Sequence, residues 1–99
     1  MNYNFEWDPI KAFKNKQKHK VSFERAAQIF LDPHAISIYD TEHSSAIEDR
    51  WITLGKDKND VLLVIIHTFQ ETGEDQRTVR IISARKATKS ERKQYEEKI

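Results

Sequence analysis

Hydrophobic and polar positions change their period several times along the chain. Tyr3, Phe5 and Trp7 alternate with Asn4 and Glu6, the period of a strand with one buried face. Asp8-Pro9 then starts a helix: Asp8 caps it, and a proline is harmless at the first helical position. Ile10 and Phe13, with Ala12 and Gln17, are expected to form the inner stripe of this helix. Lys11, Lys14, Lys16 and Lys18 point mostly outward, and the helix ends near His19. Ser22 caps a second helix, Glu24 suits its first turn, and Phe23, Ala26, Ala27 and Phe30 make its apolar face. Pro33 stops it, because the residue before a proline avoids the helical region.

Strand patterns follow. Residues 35–39 form one, and residues 47–54 alternate weakly as a second. Residues 55–60 are a polar turn. Residues 61–66 are apolar throughout, so they predict a central strand covered on both faces. Residues 70–76 are a charged connection and residues 77–83 a last strand. Short loops make these successive strands antiparallel neighbours. Thr88 and Glu91 have the spacing of a capping box, so the last strand hands over directly to a helix over residues 89–98, with Tyr95 on its inner side. The order β-α-α-β-β-β-β-α reads as an α+β fold, helices packed on a twisted antiparallel sheet.

At 99 residues the chain is a single domain, 1–99, with room for one small core. It has no cysteine, which removes disulfides and thiolate metal sites. It lacks an apolar run long enough to span a membrane and a signal-peptide pattern, so a cytoplasmic location is expected. The net charge of +1 hides an uneven distribution. Residues 9–25 sum to +5 and residues 77–93 to +6, while residues 31–60 sum to −4 and residues 69–76 to −3. Two basic segments that meet in the fold would attract an anionic ligand; apart, they are ordinary solvated faces.

The candidate chemistry is concentrated in the last strand and its exit, which carry Arg77, Arg80 and Arg85. Alternation puts Arg80 and Arg85 on opposite pleat faces, unless the strand ends before Arg85. Each arginine can be solvated or paired to an acid; their clustering favours an anionic ligand. Glu48 and Arg50 are two apart and share a face, as an ion pair or as a base beside a phosphate clamp. His67 closes the apolar run, either as an acid–base group or as a strand-end histidine satisfied by a backbone carbonyl. Lys18-His19-Lys20 at the turn between the helices is loop decoration or a mobile contact to nucleic acid. Asp40, Glu42 and His43 lie in a polar turn, read as a solvated loop rather than a cation site. Glycine-rich phosphate loops and paired metal-ligand histidines are absent from the sequence, and no cofactor is implied.

Several blocks together resemble the BrnT family. They are Phe5-Glu6-Trp7-Asp8-Pro9, Lys11, Asn15, Lys18-His19, Val21-Ser22-Phe23-Glu24 with Ala26, and Phe30 with Asp32-Pro33. Glu48, Arg50-Trp51 and Gly55 match its middle. Arg80-Ile81-Ile82-Ser83-Ala84-Arg85 with Ala87, Glu91-Arg92 and Tyr95 match its end. Lys20 departs from it, since the family very often has glycine there; this turn must avoid a left-handed backbone or tolerate strain. The resemblance implies a RelE-like fold and a toxin of a type II toxin–antitoxin module that cleaves RNA without a metal. It implies a BrnA-like antitoxin as partner, and operator DNA bound only through the antitoxin complex. On that reading Arg50, Arg80 and Arg85 hold the scissile phosphate, with Glu48 and His67 as proton-transfer groups. Lys18, His19, Lys20 and Arg77 are further RNA contacts. The alternative is a non-catalytic nucleic-acid-binding or protein-interaction module using the same arginines as phosphate contacts.

Overall fold

The first and last helices of the chain lie on opposite faces of one sheet. The computed structural model describes residues 2–45 and 48–98. Its elements are β1 (Asn2–Glu6), α1 (Pro9–His19), α2 (Phe23–Gln28) running into a 3-10 turn (Ile29–Leu31), β2 (Ile36–Tyr39), β3 (Arg50–Lys56), β4 (Leu62–Gly73), β5 (Gln76–Lys86) and α3 (Lys89–Glu97). The α+β order is the one the sequence predicts. The strands lie in the order β1-β5-β4-β3-β2. β4, which carries the apolar run, is central, and Leu62, Leu63, Val64 and Ile65 are all buried.

Two cores share this sheet. Beneath α1 and α2, Phe23, Ala26 and Ile29 pack on Leu63, Ile65, Val79, Ile81 and Ala84. On the other face Tyr95 of α3 packs on Leu54, Leu62 and Val64. Tyr95 also donates its hydroxyl to Asp32, which accepts the backbone N–H groups of His34 and Lys56 as well. Burial and this bond push the Tyr95 hydroxyl up to about 12. Gly55 gives room where β3 passes under the 3-10 turn: a Cβ there would lie 3.1 Å from that of Ile29, a tight contact relieved by a shift of a few tenths of an ångström.

The caps form as the residues predict. Asp8 accepts from Ile10 N–H, Ser22 from Arg25 N–H, and Thr88 and Glu91 complete a reciprocal capping box.

Four differences from the sequence reading bear on the site. β1 pairs with β5 in parallel, so the sheet is mixed; two helices separate β1 from the other strands, and loop length could not order it among them. The inner face of α1 is Ala12, Asn15 and His19, while Ile10 and Phe13 are 66% and 63% exposed. The cause is Asn15: its amide donates to the carbonyls of Val21 and Ala84 and accepts from Ala84 N–H, which fixes the rotation of the helix. β3 begins at Arg50, so Glu48 precedes the strand, and Ile47 lies outside the described residues. Finally, β5 continues to Lys86 but carries a bulge. Ile66 faces Ser83 whereas His67 faces Ile81, which leaves Ile82 unopposed. One extra residue resets the alternation. Arg80, opposite Thr68, and Arg85, opposite Val64, therefore share the α3 face of the sheet.

Candidate active site

α3 covers only one end of its face. At the uncovered end, four residues lie in one row across four strands. Glu6 on β1 faces Arg80 on β5, Arg80 faces Thr68 on β4, and Thr68 faces Arg50 on β3. Directly paired residues point to the same side, so this row is a strip of side chains on the open face. With strands roughly 4.8 Å apart, Arg50 and Arg80 are roughly 10 Å apart at the backbone, with Thr68 between them.

Arg80 is exposed, and its side chain makes no hydrogen bond or ion pair among the described residues. It lines a cavity of about 240 Å³ together with Glu6, Glu48, Asp49, Thr68 and Gln70. Arg50 does not line it. Its Nε is held 3.0 Å from Glu48 Oε1, an ion pair set by sequence proximity rather than across strands. Asp49 accepts from the Tyr39 hydroxyl. A free guanidinium thus sits among three carboxylates, one of them already tied to a second arginine. Such a cluster can bind one phosphate group and move a proton beside it.

The other candidates are placed elsewhere. Arg85 shares the face but lies five residues further along β5, roughly 15 Å away. Both its terminal nitrogens bind Glu91, each at 2.8 Å. His67 lies on the helix face, 2% exposed. Its Nδ1 donates to Thr68 C=O, Nε2 is 2.7 Å from the Thr53 hydroxyl, and Phe30 packs edge-on against its ring. Burial pushes its pKa down, against the opposing Thr68 hydrogen bond, so the imidazole is neutral. Arg77 also falls on the helix face, paired with Glu71. Lys18, His19 and Lys20 end α1 near the turn between β3 and β4. Lys20 C=O accepts from Arg25, whose other contact is Asp57 in that turn. This is the end of the sheet where Ala87 N–H binds Leu62 C=O, not the end that carries Arg80.

The molecule consequently has two poles on the α3 side. Glu6, Glu48 and Asp49 surround Arg80 at one; exposed Lys89, Arg92 and Lys93 of α3 stand at the other. Sequence reading missed Glu6 and Thr68 as site members. Glu6 is aligned with Arg80 by β1 lying parallel to β5, and Thr68 by the bulged register of β4 and β5, and no local signal encodes either. Among the described residues, no group of three or more His, Asp or Glu side chains is disposed to hold a metal ion. No helix among them is long and apolar enough to cross a membrane.

A family model described as the ribonuclease toxin BrnT of type II toxin–antitoxin systems matches residues 7–91. Among solved structures, the fold is similar to that of the Brucella abortus ribonuclease toxin BrnT, with a TM-score of 0.58 and 22% identity. That match covers 90% of this chain and 100% of the other. No curated protein matches.

Proposed function

The chain belongs to the BrnT family of ribonuclease toxins of type II toxin–antitoxin systems, and from that premise we propose that it is a metal-independent endoribonuclease centred on Arg80. The observation that carries this reading is the unpartnered Arg80 between Glu6 and Glu48 on the uncovered face. In the reaction the ribose 2′-oxygen attacks the adjacent phosphorus, the bond from phosphorus to the 5′-oxygen breaks, and a cyclic phosphate remains. One carboxylate, Glu48 or Glu6, takes the 2′-hydroxyl proton, and that same group, now a carboxylic acid, returns it to the departing 5′-oxygen. Arg80 stabilises the charge that builds on the phosphoryl oxygens, and Arg50, oriented by Glu48, assists across Thr68.

Three carboxylates oppose an incoming polyanion, so the cavity alone does not supply affinity. The basic pole does. Lys89, Arg92 and Lys93 of α3 stand on the same side as the cavity and contact flanking phosphates, with Lys86, Lys18 and Lys20 around the edge on the opposite face. Binding of this kind weakens steeply with salt. Arg85 serves the handover from β5 to α3, and His67 serves the core. A BrnA-like antitoxin neutralises the toxin by covering this face, and operator DNA is bound through the complex.

The test is purified protein incubated with RNA in excess chelator, with products analysed for 2′,3′-cyclic phosphate ends. Cleavage with such ends supports the reading. Salt-sensitive RNA binding without cleavage favours a non-catalytic binding module instead.

A further inference from the structure

On the α1/α2 face, adjoining the Arg80 cavity at Phe69, Tyr3, Phe30, Trp51 and Phe69 wall a trough of about 210 Å³ whose remaining lining is Ser37 and His67. Four aromatic side chains line this one small trough, and the faces of such rings carry negative quadrupole charge and attract cations.

Its polar atoms have a fixed direction. Nδ1 of His67 faces the carbonyl of Thr68, which can only accept, so the ring proton is on Nδ1. In the neutral ring Nε2 is then an acceptor, and the Thr53 hydroxyl 2.7 Å away donates to it. With its proton used, Thr53 must accept from Ser37, whose hydroxyl lies 2.8 Å from it. Ser37 therefore spends its own proton inward and turns only lone pairs outward. It is exposed, on the edge strand β2. Ser37 Oγ thus gives the trough a fixed acceptor, beside the Tyr3 hydroxyl and the Trp51 indole N–H of its rim, so a ligand that donates has a place to bind.

Its surroundings select the sign of charge. Tyr39 packs edge-on against Trp51 and hydrogen-bonds Asp49. Glu71 lies two residues beyond Phe69 on the same face, and Arg77 there is already paired with it. Glu74 and Asp75 follow in the exposed hairpin. A nucleotide would have to bring its phosphate past these carboxylates, whereas a basic protein segment is drawn in by them.

We infer that the trough is a receptor for an arginine side chain presented by a protein partner. The guanidinium stacks on the aromatic walls and donates to Ser37 Oγ, a pairing in which its planar shape and its donors are both used. This inference does not depend on the ribonuclease reading.

The test is a titration of the isotope-labelled full chain with Nα-acetyl-arginine methylamide, read at the Trp51 indole N–H. Trp51→Phe distinguishes that signal from Trp7. The neutral citrulline analogue and adenosine monophosphate are the comparators. The expected result is a saturable Trp51 shift with the arginine compound and about tenfold weaker binding of citrulline. Ser37→Ala, an exposed change, should weaken the arginine compound by roughly threefold to tenfold with the rest of the spectrum unchanged. Glu71→Gln should weaken it as well, since Arg77 is then left unpaired. Absence of a saturable shift, equal binding of citrulline, tighter binding of adenosine monophosphate at Trp51, or indifference to both substitutions would overturn the inference.

Discussion

Arg85 and Glu91 meet as a two-armed pair, Nη1 to Oε1 and Nη2 to Oε2, each 2.8 Å long. Glu91 is also the acid of the capping box and accepts the N–H of Thr88. One carboxylate thus joins the exit of β5 to the first turn of α3. The Arg85 hydrogen bonds are the largest cause of its lowered pKa, about 2. A carboxyl group depressed in the folded state contributes stability above its unfolded pKa and loses it as pH falls through the folded value. Stability should therefore decline between about pH 4.5 and pH 2, and Glu91→Gln should abolish that portion of the decline. At neutral pH the same change should cost roughly 1–2 kcal/mol, since the pair is partly solvent-screened. Urea denaturation across this pH range measures it. An unchanged acid limb in Glu91→Gln would remove the assignment.

His67 gives a second, separate pH window. Its folded pKa lies below the ordinary value near 6.5, because burial disfavours the imidazolium. As pH drops below about 6.5 the unfolded chain gains a proton that the folded chain does not, so stability falls. Substituting His67→Gln should remove this slope. His67→Ala leaves the Thr53 hydroxyl with Ser37 as its one remaining partner and opens a cavity, at a cost of roughly 2–4 kcal/mol. If His67 is structural, the folded fraction of either variant still cleaves RNA at the wild-type rate; a hundredfold loss would return it to the active site.

Lys20 should gain from replacement. It caps α1 with φ 61 and ψ 26, and its N–H reaches Lys16 C=O. The expected alternatives were a turn that avoids the left-handed region or one that tolerates strain, and the second holds. A side chain there costs about 1–2 kcal/mol, of which glycine's greater freedom in the unfolded chain takes back a part. Lys20→Gly should be more stable by roughly 0.5–1 kcal/mol in a denaturant titration. A loss of stability would mean that the lysine makes a contribution its geometry does not reveal.

Asn15 is the counterpart on the inner face of α1. It is 8% exposed and makes three backbone hydrogen bonds, two of them to Ala84 near the C-terminal end of β5. Asn15→Leu strands two carbonyls and one N–H, and should destabilise by roughly 2–4 kcal/mol. Helix α1 would then be free to rotate Ile10 and Phe13 inward, visible as lost exposure of Phe13 to solvent probes. Wild-type stability in Asn15→Leu would contradict the clamp.

Local chemistry was legible in the sequence and cross-strand relationships were not. Asp8-Pro9, Ser22, and Thr88 with Glu91 announce helix starts because capping needs particular atoms at fixed short spacings. The run ending at Ile66 announces the central strand because both its faces are covered. The rotation of α1 was hidden, since Asn15 bonds to a residue 69 positions away and overrides the pattern of Ile10 and Phe13. The bulge at Ile82 was hidden too, and it moves Arg85 onto the face of Arg80. In the site, the sequence pointed to Arg80, Arg50 and Glu48. It could not separate the free Arg80 from Arg85, whose partner is six residues on, or place Glu6 beside Arg80 through a parallel pairing.

The most direct test of a site centred on Arg80 is a paired measurement on Arg80→Ala: RNA cleavage in excess chelator and thermal unfolding of the same preparation. Arg80 is exposed and without a partner among the described residues, so its loss should leave the unfolding temperature within experimental error. Removing one preorganised donor to the phosphoryl oxygens should slow cleavage by about a hundred- to a thousandfold, roughly 3–4 kcal/mol of transition-state stabilisation. Wild-type cleavage by a fully folded Arg80→Ala protein would place the chemistry elsewhere on the molecule.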